Sequence, residues 1–151
     1  MAMERTLVLI KPDALKRKLT GLVLDRLEHA GLDIVGVKLV RLTEELVREH
    51  YKTLRDKPYY ENAVKFLTGR LSGMECPKSF AFIYQGDDAI ARVRDIAGAT
   101  NPEEAEPCTL RGSFGRIHHE GYYENVIHAS SDPKEAEREI AVWFKKEEVL
   151  K

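Results

Sequence analysis

A change of pattern between residues 125 and 144 constrains the fold of this chain more than any other feature. The apolar pair Val126–Ile127 predicts a short buried strand, at whose end His128 stands. Asp132 then has the properties of a helix N-cap, Pro133 suits the first turn, and Glu135 stands where it would complete a capping box. The predicted helix turns an apolar stripe toward the core, formed by Ala136, Ile140, Trp143 and Phe144.

Glu139 falls on the same stripe as these apolar side chains. A buried carboxylate is costly unless it has a partner, and His128 on the neighbouring strand could donate a ring N–H to it. Such a bond would orient the imidazole and leave its other nitrogen free to react. Spacing alone leaves open the alternative of a histidine satisfied in the core beside a glutamate at the solvent boundary.

The elements upstream alternate between strands and helices. The apolar run Thr6–Ile10, stopped by Lys11–Asp13, predicts a buried central strand. Residues 32–42 predict a strand, and residues 79–85 predict another that carries three aromatic rings on one face. We expect Val35, Val37 and Leu39 to share one face of the first of these strands, and Phe80, Phe82 and Tyr84 to share one face of the second.

Helices are predicted after each of these strands. One carries Leu19, Val23 and Leu27, another follows a Thr43 cap, and a third piece spans about 62–67. Asp87 is expected to open a further helix that ends at Gly98, whereas residues 98–123 show no regular period. The order predicts an α+β fold, a ferredoxin-like βαββαβ sandwich with an antiparallel sheet covered by helices, in one domain over residues 1–151.

Composition excludes several classes of function. The 24 basic and 25 acidic side chains give a formal net charge of -1, which favours neither nucleic acid nor an anionic membrane. Two cysteines, Cys76 and Cys108, cannot build a disulfide framework and are not in zinc-ligand spacing. The two cysteines fit a reducing cytoplasm, and their spacing gives no reason to expect a metal site built by the protein. No apolar run has the length of a membrane span.

Polar groups suited to phosphate lie at the ends of predicted elements. Arginine can bind phosphate with two parallel hydrogen bonds, lysine acts as a point charge, and Thr and Asn add neutral hydrogen bonds. The chain has no P-loop motif. Taken singly, each candidate is an ordinary surface residue; the set is Lys11, Arg94, Thr100, Arg111 and Asn125.

Taken together, these residues resemble the nucleoside diphosphate kinase family nearly from end to end. The Asn-x-x-His-x-Ser segment at 125–130 is the most specific part of the resemblance. The segments that carry it are 4–13, His50–Tyr51, 55–60, Arg94 with 98–102, 109–114, 125–130 and Trp143–Phe144.

The resemblance implies an enzyme that moves the γ-phosphoryl group from a nucleoside triphosphate to a nucleoside diphosphate by a ping-pong route, which maintains nucleotide pools. It implies that His128 is the nucleophile, that Glu139 orients it with Ser130 nearby, and that Mg²⁺ enters mainly on the nucleotide phosphates. Tyr59 would stack on the base. The nucleotide ligands that it implies are Lys11, Tyr51, Tyr59, Arg94, Thr100, Arg111 and Asn125. Lys11 also counts among the catalytic residues.

The match is imperfect in four places. Ser131 stands where the family usually has an aspartate, so that Asp132 is displaced by one position. Residues 69–78 and 116–124 look longer than in the shorter members, and the second segment either adds contacts to the base or covers a neighbouring subunit. Ala63 stands where a larger apolar residue often flanks the base.

Two alternatives are weighed against the kinase. Residues 78–85 partly resemble the aromatic strand of an RNA-recognition motif, but Ser79 and Gln85 depart from that pattern. The other alternative is a regulatory homologue that has lost catalysis, yet His128, Lys11 and Arg111 are all present. As partners the resemblance implies nucleoside di- and triphosphates and further copies of the chain, in a hexamer rather than a tetramer, with no membrane and no obligate nucleic acid.

Overall fold

An antiparallel four-stranded sheet forms the centre of the computed structural model, which describes residues 3–151. In chain order the strands are β1 (Met3–Ile10), β2 (Asp33–Arg41), β3 (Lys78–Asp87), β4 (Arg116–Ile117), β5 (Tyr123–Glu124) and β6 (Ile127–Ala129). The helices are α1 (Pro12–Lys16), α2 (Thr20–Glu28), α3 (Glu44–His50), α4 (Tyr60–Leu67), α5 (Ala89–Ala97), α6 (Leu110–Phe114) and α7 (Pro133–Trp143), and short 3-10 helices span Lys52–Leu54 and Lys146–Glu148.

The sheet order is β2-β3-β1-β6, and every neighbouring pair is antiparallel. This arrangement confirms the predicted ferredoxin-like fold. Strand β1 lies inside the sheet, and its side chains are buried on both faces. Leu7 and Leu9 pack with α3, α4 and α7 in a first core, whereas Val8 and Ile10 pack with α2 and α5 in a second.

The aromatic face of β3 lies inside the second core. Phe82 and Tyr84 are 5% and 1% exposed, so no single-stranded base could stack on them. The burial of these rings is the physical reason why the RNA-recognition alternative is not favoured.

The prediction that Val35, Val37 and Leu39 share one face of β2 is wrong. A register shift between Ile34 and Gly36 lets Val35 point into the first core while Val37 and Leu39 are 55% and 51% exposed. A Cβ atom on Gly36 would lie 3.1 Å from Ile83 Cδ1, so close packing at the bulge favours glycine there.

The sequence predicted that Asp87 opens the helix that ends at Gly98, and this prediction is wrong. Asp87 is the last residue of β3, and Asp88, at φ 52°, precedes α5 without a side-chain cap. The Ile90 N–H instead donates to the Glu4 carboxylate from β1, at 3.1 Å. A residue 86 positions away in sequence therefore satisfies this helix end.

Residues 98–123 contain more regular structure than the sequence predicted. Thr109 caps α6 by accepting from the Gly112 N–H at 3.1 Å, and β4 pairs with β5 in a small hairpin. Elements this short carry too few residues to show a period, which explains why they were missed.

The strand-to-helix change near the C-terminus is confirmed with two corrections. Asp132 caps α7 as predicted, but His128 lies within β6 rather than at its end, because Val126 forms a turn before the strand begins. The Glu135 carboxylate pairs with Arg138, at 2.9 Å, and so serves a different bond from the expected capping box.

Within residues 3–151, no helix is long and apolar enough to cross a membrane.

Candidate active site

One cleft of about 950 Å³ gathers every site residue that the sequence predicted. It opens where β6, the start of α1, the end of α5 and the beginning of α4 meet. The predicted residues that line it are Lys11, Tyr51, Tyr59, Arg94, Thr100, Arg111, Asn125, His128 and Glu139.

A buried carboxylate orients the His128 ring. The Nε2 atom of His128 lies 2.9 Å from Glu139 Oε2, and the Ser130 hydroxyl donates to the same oxygen at 2.6 Å. Ser130 is itself fixed by accepting from the Leu7 N–H of β1, at 3.2 Å. An ionised carboxylate only accepts, so the ring proton sits on Nε2 and the lone pair on Nδ1 is available as a nucleophile.

His50 packs edge-on against His128, with ring centroids 4.5 Å apart. The Trp143 indole N–H donates to Nδ1 of His50 at 3.1 Å, which places the proton of the neutral ring on Nε2. Burial lowers the pKa of His50 well below its usual value, and the neighbouring His128 adds to the effect. Sequence reasoning gave His50 no role in the site, because nothing local indicates that α3 brings its last residue against β6.

The tautomer of His50, which carries its proton on Nε2, also affects whether the site can bind a metal. Ligand atoms of His50, His128 and Glu139 lie within 4.8 Å of one another, a donor set that zinc accepts. A metal on Nε2 of His50 would require a proton on Nδ1, facing the Trp143 N–H. Two opposed donors make that arrangement unfavourable, so we assign no metal to these three residues.

Lys11 and Arg111 place buried positive charge at the floor of the cleft. The Lys11 ammonium donates to Asn125 Oδ1 at 2.7 Å, and the Asn125 amide donates to the Thr100 carbonyl at 2.9 Å. Burial lowers the pKa of Lys11 to about 8; the Asp13 carboxylate counteracts this, and Arg111 adds to it.

Arg111 joins the carbonyl groups of two different segments of the chain. Its guanidinium donates to Gly98 O and to Ile127 O, at 2.9 Å each. Burial lowers the pKa of Arg111 to about 10, and Arg94 contributes, so the group is still charged at neutral pH. Two buried cations and the more exposed Arg94 therefore give the cleft that contains His128 a positively charged surface, which suits an anion.

Aromatic side chains form the outer part of the cleft. Tyr59 is 52% exposed whereas Tyr60 packs in the first core, so Tyr59 is the member of the pair whose ring is available to a ligand. Burial raises the pKa of Tyr51, and Glu139 adds to the effect, so that phenol keeps its proton as a hydrogen-bond donor.

The longer segment 116–124 forms the β4–β5 hairpin, and three of its residues, Gly121, Tyr122 and Tyr123, line the cleft together with Ala63. His118 stacks on Tyr122, with ring centroids 4.2 Å apart. His118, His119 and Glu120 form a cluster at the hairpin tip, and Cys108 is an exposed free thiol elsewhere in the chain. The hairpin thus adds aromatic surface to the cleft.

The acidic groups near His128 are already engaged. Glu139 serves His128, Glu135 pairs with Arg138, and Asp132 accepts from the Glu135 N–H and from the Ser131 hydroxyl. These bonds occupy the carboxylates of Glu139, Glu135 and Asp132, whereas the cationic floor suits the phosphates of a Mg²⁺-nucleotide complex. An imidazole nucleophile beside an anion site can accept a phosphoryl group.

Comparison with known proteins agrees with this chemistry. A family model described as nucleoside diphosphate kinase matches residues 4–149. A curated nucleoside diphosphate kinase of Bacillus licheniformis is 43% identical over 148 residues, which cover 98% of this chain and 93% of that protein.

Two solved structures have the same fold. A nucleoside diphosphate kinase from Halobacterium salinarum, in complex with CDP, has a TM-score of 0.86 and 39% identity, and the match covers 99% of this chain and 93% of that one. A transition state mimic of the enzyme from Borrelia burgdorferi, with bound vanadate and ADP, has a TM-score of 0.87 and 32% identity over 99% and 91% of the two chains.

Proposed function

Because the chain belongs to the nucleoside diphosphate kinase family, which moves a γ-phosphoryl group from a nucleoside triphosphate to a nucleoside diphosphate, we propose that His128 carries that group between the two half-reactions. The observation that carries this proposal is the 2.9 Å bond between His128 Nε2 and Glu139. It commits one ring nitrogen to the protein and leaves the other for phosphorus in a cleft floored by cations.

In the first half-reaction Nδ1 of His128 attacks the γ-phosphorus. The bond to the bridging oxygen breaks, and the nucleoside diphosphate leaves with the electron pair. The ring gains positive charge as the N–P bond forms, and the Glu139 carboxylate beside Nε2 offsets it. In the second half-reaction a terminal oxygen of another nucleoside diphosphate attacks phosphorus and the N–P bond breaks, so one site serves both substrates.

Positioning and charge stabilisation supply most of the rate in phosphoryl transfer. We assign the phosphate oxygens to Lys11, Arg94 and Arg111, which line the same cleft as His128. Tyr51, Thr100 and Asn125 contribute neutral hydrogen bonds to phosphate or sugar. Tyr59 offers its exposed ring to the base, and stacking accepts every base because each has a π-face.

Mg²⁺ fits this site as a companion of the nucleotide. When bound, it neutralises part of the charge on the phosphate oxygens. The engaged state of Glu135, Asp132 and Glu139 supports binding through the phosphates, and Ser131 in place of the usual aspartate removes a further carboxylate.

The ionisation of Lys11 predicts an alkaline limb in the pH profile. The ammonium is charged below its pKa of about 8 and neutral above it, so phosphate binding weakens as pH rises through that value. We expect kcat/KM, which reports on the free enzyme, to fall above about pH 8. Lys11→Arg keeps a charge throughout this range and should lose the limb. A limb that persists unchanged in Lys11→Arg would contradict the assignment.

The proposed function is tested by labelling without an acceptor. We expect ATP with Mg²⁺ to add one acid-labile, base-stable phosphoryl group to the protein, detected by intact mass, and added GDP to discharge it as GTP. Omission of Mg²⁺ should slow the labelling. Failure to label, with steady-state kinetics that are sequential rather than ping-pong, would count against the covalent route.

We further propose a homo-oligomer, a hexamer rather than a tetramer, of single-domain subunits spanning residues 1–151 in the cytoplasm. The support for self-association is strand β2, which lies at the edge of the sheet in the described part of the chain and carries the exposed apolar side chains of Ile34, Val37 and Leu39. Light scattering on the purified protein measures the subunit number, and fractionation of cells measures the location.

A further inference from the structure

Val126 has a backbone conformation that a β-branched residue rarely adopts. Its φ is +74°, and the Ile127 N–H donates to the Asn125 carbonyl at 2.8 Å, which closes a three-residue γ-turn around it. This form of γ-turn is rare and strained, and strain of this kind persists only where the surroundings enforce it. The turn lies between Asn125 and His128, two of the residues assigned to phosphoryl transfer.

Both peptide groups of Val126 are held by the segment that follows β1. The Val126 N–H donates to Asp13 Oδ2 at 3.0 Å, and the Val126 carbonyl accepts from the Lys11 N–H at 2.9 Å. Val126 is fully buried, and its side chain packs in the second core. Residues on either side of Pro12 therefore clamp a turn that lies 113 positions further along the chain.

Burial of the Asp13 carboxylate costs free energy, which is a high cost for holding a turn alone. Asp13 is 3% exposed, burial raises its pKa, and Oδ1 accepts no hydrogen bond from residues 3–151. A buried carboxylate with one unsatisfied oxygen destabilises the fold. Its presence therefore indicates that its remaining contacts have a role. The one side-chain hydrogen bond of Asp13 goes to the strained residue beside the nucleophile.

We propose that Asp13 is a positioning residue for phosphoryl transfer: its carboxylate holds Val126 in the left-handed turn and thereby fixes Asn125 and His128 relative to each other. The inference rests on the proposed roles of His128 and Asn125. If Val126 relaxed to negative φ, the peptide planes on both sides would rotate, and Asn125 would lose its register with Lys11 and Thr100. Misplacement of about 1 Å costs roughly 10²-fold in rate.

Asp13 also acts on Lys11 through its charge, so the experiment must separate the hydrogen bond from the charge. Asp13→Asn removes the charge but keeps an oxygen that can accept from Val126, whereas Asp13→Ala removes both. The quantity to measure is the single-turnover rate of His128 phosphorylation by ATP with Mg²⁺. We expect a loss on the order of 10²-fold in Asp13→Ala and of less than about threefold in Asp13→Asn.

The loss should fall on the maximal rate rather than on the ATP concentration that gives half of it, because Arg94 and Arg111 still bind phosphate. If Asp13 had a merely structural role, both variants would have a lower thermal stability. The maximal rate would then not fall separately from the ATP concentration that gives half of it.

A second pair of variants tests the turn itself. Glycine adopts φ near +74° without a steric penalty, so removal of Asp13 should cost much less in a Val126→Gly background than in the wild type. Lys18→Gly is the matched control: Lys18 is exposed, has φ 60° and lies outside the cleft. Its phosphorylation rate should stay within about twofold of the wild type.

Three outcomes would overturn the proposal. These are a loss below about threefold in Asp13→Ala, an equal loss in Asp13→Ala and Asp13→Asn, and an undiminished cost of removing Asp13 in the Val126→Gly background. Should Asp13→Ala not fold, Asp13→Ser, whose hydroxyl is too short to reach Val126 N, takes its place with the same limits. A wild-type protein that labels at a residue other than His128 would refute the proposed site instead, whatever Asp13 does.

Discussion

Replacement of His128 by alanine is expected to abolish phosphoenzyme formation and to reduce phosphoryl transfer from ATP to GDP on the order of 10⁴-fold or more. The variant loses the only group assigned to form a bond with phosphorus, and the cations that remain can bind nucleotide without offering it an acceptor. Intact-mass labelling measures the first effect, and coupled steady-state kinetics measure the second.

Nucleotide binding should survive this change. Lys11, Arg94 and Arg111 do not contact the imidazole through a hydrogen bond, so we expect the dissociation constant of ADP to change by less than about fivefold. His29→Ala is the matched control, because His29 is exposed at the end of α2 and bonds only to the Asp25 carbonyl of its own helix. Labelling that persists in His128→Ala would show that another residue carries the phosphoryl group.

Replacement of Arg111 by alanine is expected to lower kcat/KM by about 10²–10³-fold and to destabilise the protein as well. The guanidinium supplies charge to the phosphates and also satisfies the carbonyl groups of Gly98 and Ile127. Truncation removes the donor from the buried Ile127 carbonyl and from the half-buried Gly98 carbonyl, which we expect to lower the free energy of unfolding by about 1–3 kcal/mol. Steady-state kinetics and chemical denaturation measure the two effects separately.

Arg111→Lys separates charge from geometry. Lysine keeps the positive charge but lacks the planar fork that reaches two carbonyls, so we expect activity between those of the wild type and Arg111→Ala. Arg92→Ala serves as the control, since Arg92 makes a comparable bond to the Ala30 carbonyl outside the cleft. Activity of Arg111→Lys equal to that of the wild type would show that charge alone is sufficient.

Features that depend on neighbours in sequence were predictable. Thr43 and Asp132 cap their helices as expected, because a side-chain cap and the N–H that it serves lie within one turn. The stripe of α7 also indicated that Glu139 is buried, and a buried carboxylate requires a donor. The short connection between β6 and α7 made His128 a candidate donor, and the structure contains that bond.

Features that depend on distant contacts were not predictable. The bulge in β2 exposes Val37 and Leu39 because Gly36 packs against Ile83 and Phe144. Glu4 caps α5 in place of Asp87, and His50 reaches the active site through the packing of α3 on α7. The hairpin of β4 and β5 is too short to show a period, although its tyrosines line the cleft.

The sequence by itself determined the long strands and helices, the caps of α3 and α7 and the chemical types of the site residues, because periodicity and capping act over a few positions. Only the tertiary structure decided how those residues face one another. Val126 illustrates the difference: valine disfavours positive φ, and nothing near it in sequence explains the turn. Asp13 and Lys11, more than 110 positions away, supply the hydrogen bonds that hold it, and a local pattern contains no information about contacts at that separation.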